Sequence, residues 1–301
     1  MKLFRRKPKV LKIGLALGGG GARGLAHIQV LETLDELGIR PHAIAGTSIG
    51  AVMGALYASG LSGKEIRNIV HEWQTPRPEK KHGILDRRDL RRWAALLDPT
   101  FDRSGLFKGE KIIRFLSDHI KCTTFEELKI PLAVTAANYG DASEVVFKSG
   151  DLLSAVRASM AIPGVFTPVE RDGHLLLDGG VVNPLPYDLL QEECDVVIAM
   201  DVGGVRHADE KHRPPFFDTI ISGFEIMEAS MIRDRLKSNP PDIYLKPDIR
   251  NVGLLDFHKA EQIFRQSEAI KDELRQKLIR NQPNSFLFLQ KATKDNGGGK
   301  N

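Results

Sequence analysis

Four consecutive glycines, Gly18 to Gly21, constrain this chain of 301 residues more than any other feature. They follow Lys12-Ile13-Gly14-Leu15-Ala16-Leu17, an apolar run that reads as a buried strand, and they lead into Ala22-Arg23-Gly24. From Leu25 to Leu37 apolar residues recur at Leu25, Ile28, Leu31, Leu34 and Leu37, a helical rhythm that Gly38 closes. Ala43-Ile44-Ala45 is a second strand, and Gly46-Thr47-Ser48-Ile49-Gly50 follows it at once. A strand, a helix and a second parallel strand form a right-handed crossover, with both strand ends on one edge of the sheet. The glycine loop and Ser48 should therefore be neighbours in space although they are remote in sequence.

Gly-x-Ser-x-Gly between strand and helix is the pattern of a nucleophile elbow: small flanking residues let a tight turn hold the hydroxyl clear of the backbone. The glycine loop, opening a helix, presents backbone N–H groups backed by the positive end of a helix dipole. A hydroxyl beside converging donors suits acyl transfer from an ester. Gly19, Gly21 and Gly24 also satisfy the Gly-x-Gly-x-x-Gly dinucleotide fingerprint. That reading wants a carboxylate at the end of the second strand, where this chain has Ala45-Gly46-Thr47-Ser48. A phosphate-binding P-loop fails because Leu25, not Lys, follows Gly24. A purely structural turn stays open, but the elbow arriving one crossover later favours an oxyanion hole.

Strands alternate with helices along most of the chain, which argues an α/β fold built on a mainly parallel sheet. Ile49 to Ser59 should be a helix whose small residues pack closely on the sheet, and Ser62 should cap a helix running through Trp73. Lys108 to Ile120, Asp151 to Met160, Phe216 to Leu236 and Phe257 to Arg280 read as further helices. Strands are expected at 131–137, 144–147, 195–202 and 243–245, and a hairpin over Val165 to Leu177 turns at Arg171-Asp172-Gly173. Residues 1–10 form a basic tail, 11–285 the folded domain, and 286–301 a tail disordered at its end. Within 75–125, a variable cap or lid, Leu90, Trp93, Ala94 and Leu97 lie at helical spacing among Arg87, Arg88, Arg91 and Arg92. Such a helix can sit in a lipid interface or pack on its own domain.

Composition bounds the partners. A net charge of +4 is too mild to make nucleic acid the main partner. Cys122 and Cys194 show no metal or redox spacing, which fits a reducing, cytoplasmic setting. The basic start is followed by too short an apolar run for a signal peptide or membrane span, although it could touch anionic lipid at the inner membrane surface. The sequence leaves oligomeric state undecided, a homodimer included.

A serine hydroxyl needs something to take its proton. None of His27, His42, His71, His82, His119, His174, His207, His212 or His258 sits in a local setting that marks it as the base. Asp178 is different. It comes directly off Leu175-Leu176-Leu177 into Gly179-Gly180, a carboxylate delivered at a strand edge with room beside it. An aspartate that merely closes a turn on its own backbone is the competing reading.

Gly19-Gly20-Gly21-Ala22-Arg23-Gly24, Gly46-Thr47-Ser48-Ile49-Gly50 and Asp178-Gly179-Gly180, in that order, resemble the patatin-like phospholipase family. The resemblance continues through Ala158-Ser159-Met160-Ala161-Ile162-Pro163-Gly164-Val165-Phe166 and Val181-Val182-Asn183-Pro184-Leu185-Pro186. It implies a three-layer α/β/α patatin-like fold and a Ser–Asp dyad, with Ser48 the nucleophile and Asp178 the general base. It also implies an oxyanion hole from the N–H groups of Gly19, Gly20 and Gly21. Arg23, Gly24, Gly46, Gly50, Gly179 and Gly180 would support the motifs, with Arg23 positioning the loop or meeting an anionic substrate. The implied reaction is two-step hydrolysis of a fatty-acyl ester of a lipid, with no cofactor and no metal. An aspartate of ordinary pKa near 4 would be a weak base for it, placing more of the rate on the oxyanion donors. Two rival readings remain: a Ser–His acyltransferase or thioesterase on acyl-carrier or CoA substrates, and a lipid-binding regulatory protein without turnover.

Overall fold

The computed structural model describes residues 11–74, 98, 100, 105–204 and 215–281. The expected basic helix around Trp93 and both tails lie outside these residues.

An eight-stranded sheet organises the described chain. Its parallel half comprises β10 (Ile243–Leu245), β9 (Val196–Met200), β1 (Ile13–Leu17), β2 (Ala43–Thr47) and β4 (Leu132–Asn138), in that spatial order. Antiparallel pairing completes the sheet with β5 (Glu144–Phe147), β7 (Val169–Arg171) and β8 (His174–Asp178). The central strands are buried on both faces, as parallel strands covered by helices must be. Leu15 and Leu17 point into one apolar layer and Ala16 into the other. The first layer holds α1 (His27–Glu36), α2 (Ile49–Ala58), α3 (Gly63–Gln74), α4 (Glu110–His119) and α5 (Leu152–Ser159). Two C-terminal helices, α7 (Ala260–Ser267) and α8 (Ala269–Asn281), complete that layer. On the opposite face Ala16, Ala45, Ala133 and Ala199 leave space for Tyr187 and Leu190 and for Ile232 of α6 (Phe216–Ser238). The result is the expected three-layer α/β/α arrangement.

The register along β4 decides where the site falls. β2 pairs with Leu132 to Thr135 and β5 with Val134 to Ala137, so these two strands flank β4 on opposite sides. β8 pairs with Ala136 to Asn138, residues whose β5 side is already occupied through Ala137, and so it lies on the β2 side. β2 runs up to Thr47 opposite Thr135, and β8 runs down to Asp178 opposite Ala136, the next rung. The residue after Thr47 and the last residue of β8 therefore meet end to end.

Three local readings change. The helix expected from Leu25 begins as a tight 3₁₀ turn over Gly21–Ala26 and becomes α-helical only at His27, because the glycine loop holds its entry at positive φ. The helix expected over Phe257 to Arg280 is broken at Glu268. There Gln29 Nε2 donates to Phe264 O at 2.9 Å and Ser267 Oγ to Ile263 O at 2.8 Å, and side chains that take helix carbonyls in this way bend the helix. The hairpin expected from Val165 is confined to β7 and β8. Residues of β6 (Gly164–Phe166) instead pair in parallel with β3 (Gly105–Phe107), a short strand with no alternating pattern to betray it. Ser62 and Glu65 do form a reciprocal cap at the start of α3, with Glu65 N to Ser62 Oγ at 3.2 Å and Ser62 N to Glu65 Oε2 at 2.7 Å.

Candidate active site

Ser48 occupies φ 55°, ψ −122°, a backbone conformation that residues other than glycine rarely adopt and that costs about 1–3 kcal/mol. The surroundings over-determine it. Ser48 N–H donates to Ser159 Oγ at 2.8 Å, and Ser48 O accepts from Ala51 N and Val52 N as the first carbonyl of α2. A Cβ at Gly46 would lie 2.6 Å from Gly50 O, and one at Gly50 would overlap Leu17 O. Both glycines are thus required for the turn to close against the end of β1. Ser48 is 6% exposed, and its hydroxyl donates to Asp178 Oδ2 at 2.6 Å.

Asp178 is anchored on both sides of its carboxyl. Its N–H donates to Ala161 O at 2.9 Å, and its Oδ1 accepts from Gly180 N at 2.7 Å. Gly179 passes so close to β4 that a Cβ there would lie 2.5 Å from Thr135 O. Burial raises the Asp178 pKa from 3.8 to about 7, against the opposing pull of the Ser48 and Gly180 donors. The expectation of an aspartate near 4 is corrected here, because the carboxyl lies in a dry corner of the sheet.

The glycine loop reaches the same corner, and the position of a Cβ at Gly19 would be 3.5 Å from Ser48 Cβ. Its amides divide. Gly19 N–H, expected among the oxyanion donors, is spent on Pro184 O at 2.9 Å. Gly20 and Gly21 precede the first intrahelical donor, and among the described residues neither N–H is bonded to a backbone carbonyl. Both have positive φ, 155° and 58°, and a Cβ at Gly20 would lie 2.6 Å from Val202 O. Gly24 lies flat against Ile49, which brings the turn onto α2.

Arg23 does not face the site as a free cation. Its guanidinium is 2% exposed and donates to Val202 O at 3.2 Å, Val252 O at 3.0 Å and Glu225 Oε1 at 2.7 Å. It ties the loop to the segment after β9, to the 252 turn and to α6, contacts that suit the positioning role among its two expected ones. His27, next to the loop, is fully buried, and burial lowers its pKa to about 4. Its neutral ring donates through Nε2 to Gly18 O at 2.9 Å. His71, His119 and His174 turn to Glu261, Phe115 O and Asn138. His258 lies along a cavity beside Ser48, and His82, His207 and His212 fall outside the described residues.

That cavity, of about 270 Å³, runs from Ser48 and Gly21 between α2, α3 and α4. Ile49, Val52, Met53 and Leu56 line it from one face of α2, spaced as i, i+3, i+4 and i+7, while the small residues of the same helix pack on the sheet. Ile66 and Phe115 face them. Nothing in the spacing of α3 or α4 foretold that these helices would stand apart. Ser159 and the α6 carboxylates Glu225 and Glu228 also escaped sequence reading. Ser159 at least lay within the Ala158-Ser159-Met160 run already singled out.

The profile of the patatin-like phospholipase family matches residues 15–190. The chain belongs to that family. It is 38% identical over 194 residues to an uncharacterized NTE family protein of Mycobacterium tuberculosis, an alignment covering 64% of this chain and 49% of that one. It is 31% identical over 289 residues to human patatin-like phospholipase domain-containing protein 6, covering 87% of this chain and 20% of the relative. A fungal relative, lysophospholipase NTE1 of Kluyveromyces lactis, is 30% identical over 84% of this chain and 18% of its own. The chain thus spans about half the length of the mycobacterial relative and about a fifth of the others. Among solved structures, VipD from Legionella pneumophila aligns over 88% of this chain and 67% of its own, with a TM-score of 0.44 and 14% identity.

Proposed function

We propose that this member of the patatin-like family is a lipid acyl hydrolase of the phospholipase A, lysophospholipase or carboxylic ester hydrolase kind, working through a Ser48–Asp178 dyad. The observation that carries the reading is the 2.6 Å contact of Ser48 Oγ with a buried carboxylate, at the end of an apolar cavity. In the first step Ser48 Oγ attacks the acyl carbon as Asp178 Oδ2 takes the hydroxyl proton. Charge developing on the carbonyl oxygen falls to Gly20 and Gly21 N–H, with the N-terminus of α2 nearby. Asp178 then protonates the departing alcohol or lysolipid. Water, activated in turn by Asp178, releases the fatty acid from Ser48. The cavity suits the acyl chain, since almost every side chain along it is apolar.

An Asp178 pKa of about 7 is matched to this task at neutral pH, where an aspartate near 4 would be a poor acceptor. Ser48 Oγ donates to a carboxylate and not to an imidazole, which favours the dyad over a Ser–His acyltransferase even though His258 lines the same cavity. Substrates of this class reside in bilayers, so the reading includes peripheral contact with a lipid surface, measurable by co-sedimentation with vesicles. The chemistry is tested by labelling with a fluorophosphonate and by mass spectrometry of products from a panel of phospholipids, lysophospholipids and neutral esters. Ser48→Ala should abolish labelling and turnover, and Asp178→Asn should abolish turnover with the fold intact. Turnover retained in a folded Asp178→Asn variant would overturn the dyad, and an unlabelled Ser48 would point to a lipid-binding protein.

A further inference from the structure

Helix α6 turns two carboxyl groups toward the active-site corner. Glu225 is paired with Arg23 at 2.7 Å. Glu228, a turn further on and 7% exposed, lies over Gly180 instead. A Cβ at Gly180 would overlap Glu228 Oε1 and sit 3.1 Å from Asp178 Oδ1, so both carboxyl oxygens crowd one point above the Gly180 backbone. That crowding explains why position 180 is glycine, and it brings a second acid beside the base of the dyad.

We propose that Asp178 and Glu228 form a carboxyl pair across Gly180, with Glu228 a positioning residue that keeps the pair's resting proton while Asp178 stands ionised opposite Ser48. The inference rests on the reading of Ser48 and Asp178 as nucleophile and base. Two carboxyl groups this close and this buried do not both ionise at neutral pH. The hydrogen bonds decide which one does. Asp178 accepts from Ser48 Oγ–H and Gly180 N–H, and both donors favour its charged form. The charged groups facing Glu228 are Asp178 from β8, Glu225 from its own helix, Asp201 from the end of β9 and Arg23 from the glycine-loop turn. Three of these four are acidic, and Arg23 is already committed to Glu225. Burial and the Asp178 charge accordingly hold the Glu228 carboxyl well above the usual range.

During attack the Ser48 proton moves to Asp178 Oδ2 and is later handed to the leaving group, while Glu228 retains its own proton throughout. When alkaline pH strips Glu228, the new negative charge sits beside Asp178, across Gly180. It makes Asp178 a stronger base and favours the shift of charge onto the reacting carbonyl. Ser48 reactivity should therefore rise in two steps with pH, the lower as Asp178 ionises and the upper as Glu228 does.

The test is the rate of Ser48 labelling by an alkyl fluorophosphonate between pH 5 and 10, corrected for reagent hydrolysis, in the wild type, Glu228→Gln and Glu228→Asp. The wild type should show both steps, the upper one about threefold to tenfold for groups coupled by about one pKa unit. Glu228→Gln, similar in size and unable to titrate, should show the lower step alone. Glu228→Asp should restore an upper step at a shifted midpoint, and circular dichroism checks that each variant is folded. An upper step persisting in Glu228→Gln, or missing from the wild type, overturns the pair while leaving the dyad in place. Failure of Ser48 to label at any pH overturns the hydrolase reading and this inference together.

Discussion

Replacing Asp178 by Asn should remove activity and return stability, and the stability returned should depend on pH. In the unfolded chain the carboxyl ionises near 4, whereas burial in the folded protein raises it to about 7. Between these values the folded state holds a proton that the unfolded state has lost, so stability falls as pH rises through the window. The contribution is fully present below about 4 and gone above about 7. At about 1.36 kcal/mol per pH unit the whole loss is about 4 kcal/mol, and about 3 kcal/mol of it falls between pH 5 and pH 8. An Asn side chain does not titrate. Effects of the exchange that are independent of pH, including altered bonding to Ser48 and Gly180, cancel when the gap between the two proteins is compared at two pH values. Urea unfolding of the wild type and Asp178→Asn at pH 5 and pH 8 should show the advantage of the variant growing by about 3 kcal/mol. In thermal melts this is roughly 6 °C, at about 2 °C per kcal/mol for a chain of this size. A gap that stays constant would refute tuning by burial, and the acid limb of catalysis would then have to lie near pH 4 instead of near 7.

Other substitutions test the frame around the dyad. Ser159→Ala removes the acceptor for Ser48 N–H and should lower kcat/KM at least tenfold with a stability loss of about 1–2 kcal/mol, because a strained turn is left with an unpaired buried amide. Gly20→Ala combines a forbidden φ with a collision at Val202 O, and should lose turnover through displaced oxyanion donors, read as a fall in kcat larger than any rise in KM. Arg23→Ala should destabilise the protein by about 3–5 kcal/mol in urea unfolding, since it removes a buried ion pair with Glu225 and the donor to Val202 O and Val252 O. Pairing Arg23→Met with Glu225→Leu should recover most of that loss.

Much of this site was legible in the chain because its chemistry depends on backbone. Gly46 and Gly50 announce the elbow, and Gly18 to Gly21 a tight loop whose last two residues take positive φ. The crossover rule then brings Ser48 beside the loop without knowledge of the rest of the sheet. Asp178 was legible as a carboxylate at a strand end, but not as the partner of Ser48 from physics alone. Their meeting depends on β8 entering antiparallel on the β2 side of β4, a pairing between segments remote in sequence. The bond from Gly19 N–H to Pro184 O was not legible for a similar reason, since its acceptor lies in a turn that no local pattern ties to the loop. Glu225 and Glu228 were hidden in another way. Helix α6 carries them on its inward face beside Ile221 and Ile232, while Phe216, Ile220 and Met227 are exposed, so apolar residues lie on both faces. A hydropathy reading of that helix does not mark which face meets the site.

In the dyad proposed above, the depth of the site is what lets two residues stand in for three. In a serine triad the proton goes to an imidazole, whose ordinary pKa near 6.5 already suits neutral pH. Asp178 arrives at about the same value by burial, so in the proposed role its burial, and not its identity alone, would set its strength as a base. The gain in driving force over an exposed aspartate is about 4 kcal/mol, comparable to one oxyanion donor. Tuning by burial and tuning by hydrogen bonds have opposite signatures. A substitution that admits water beside Asp178 should lower its pKa, slowing turnover at pH 7 while extending activity to more acid solution. Loss of the Gly180 N–H bond should raise the pKa and move the acid limb upward. The direction in which the limb moves therefore identifies which of the two forces the site depends on.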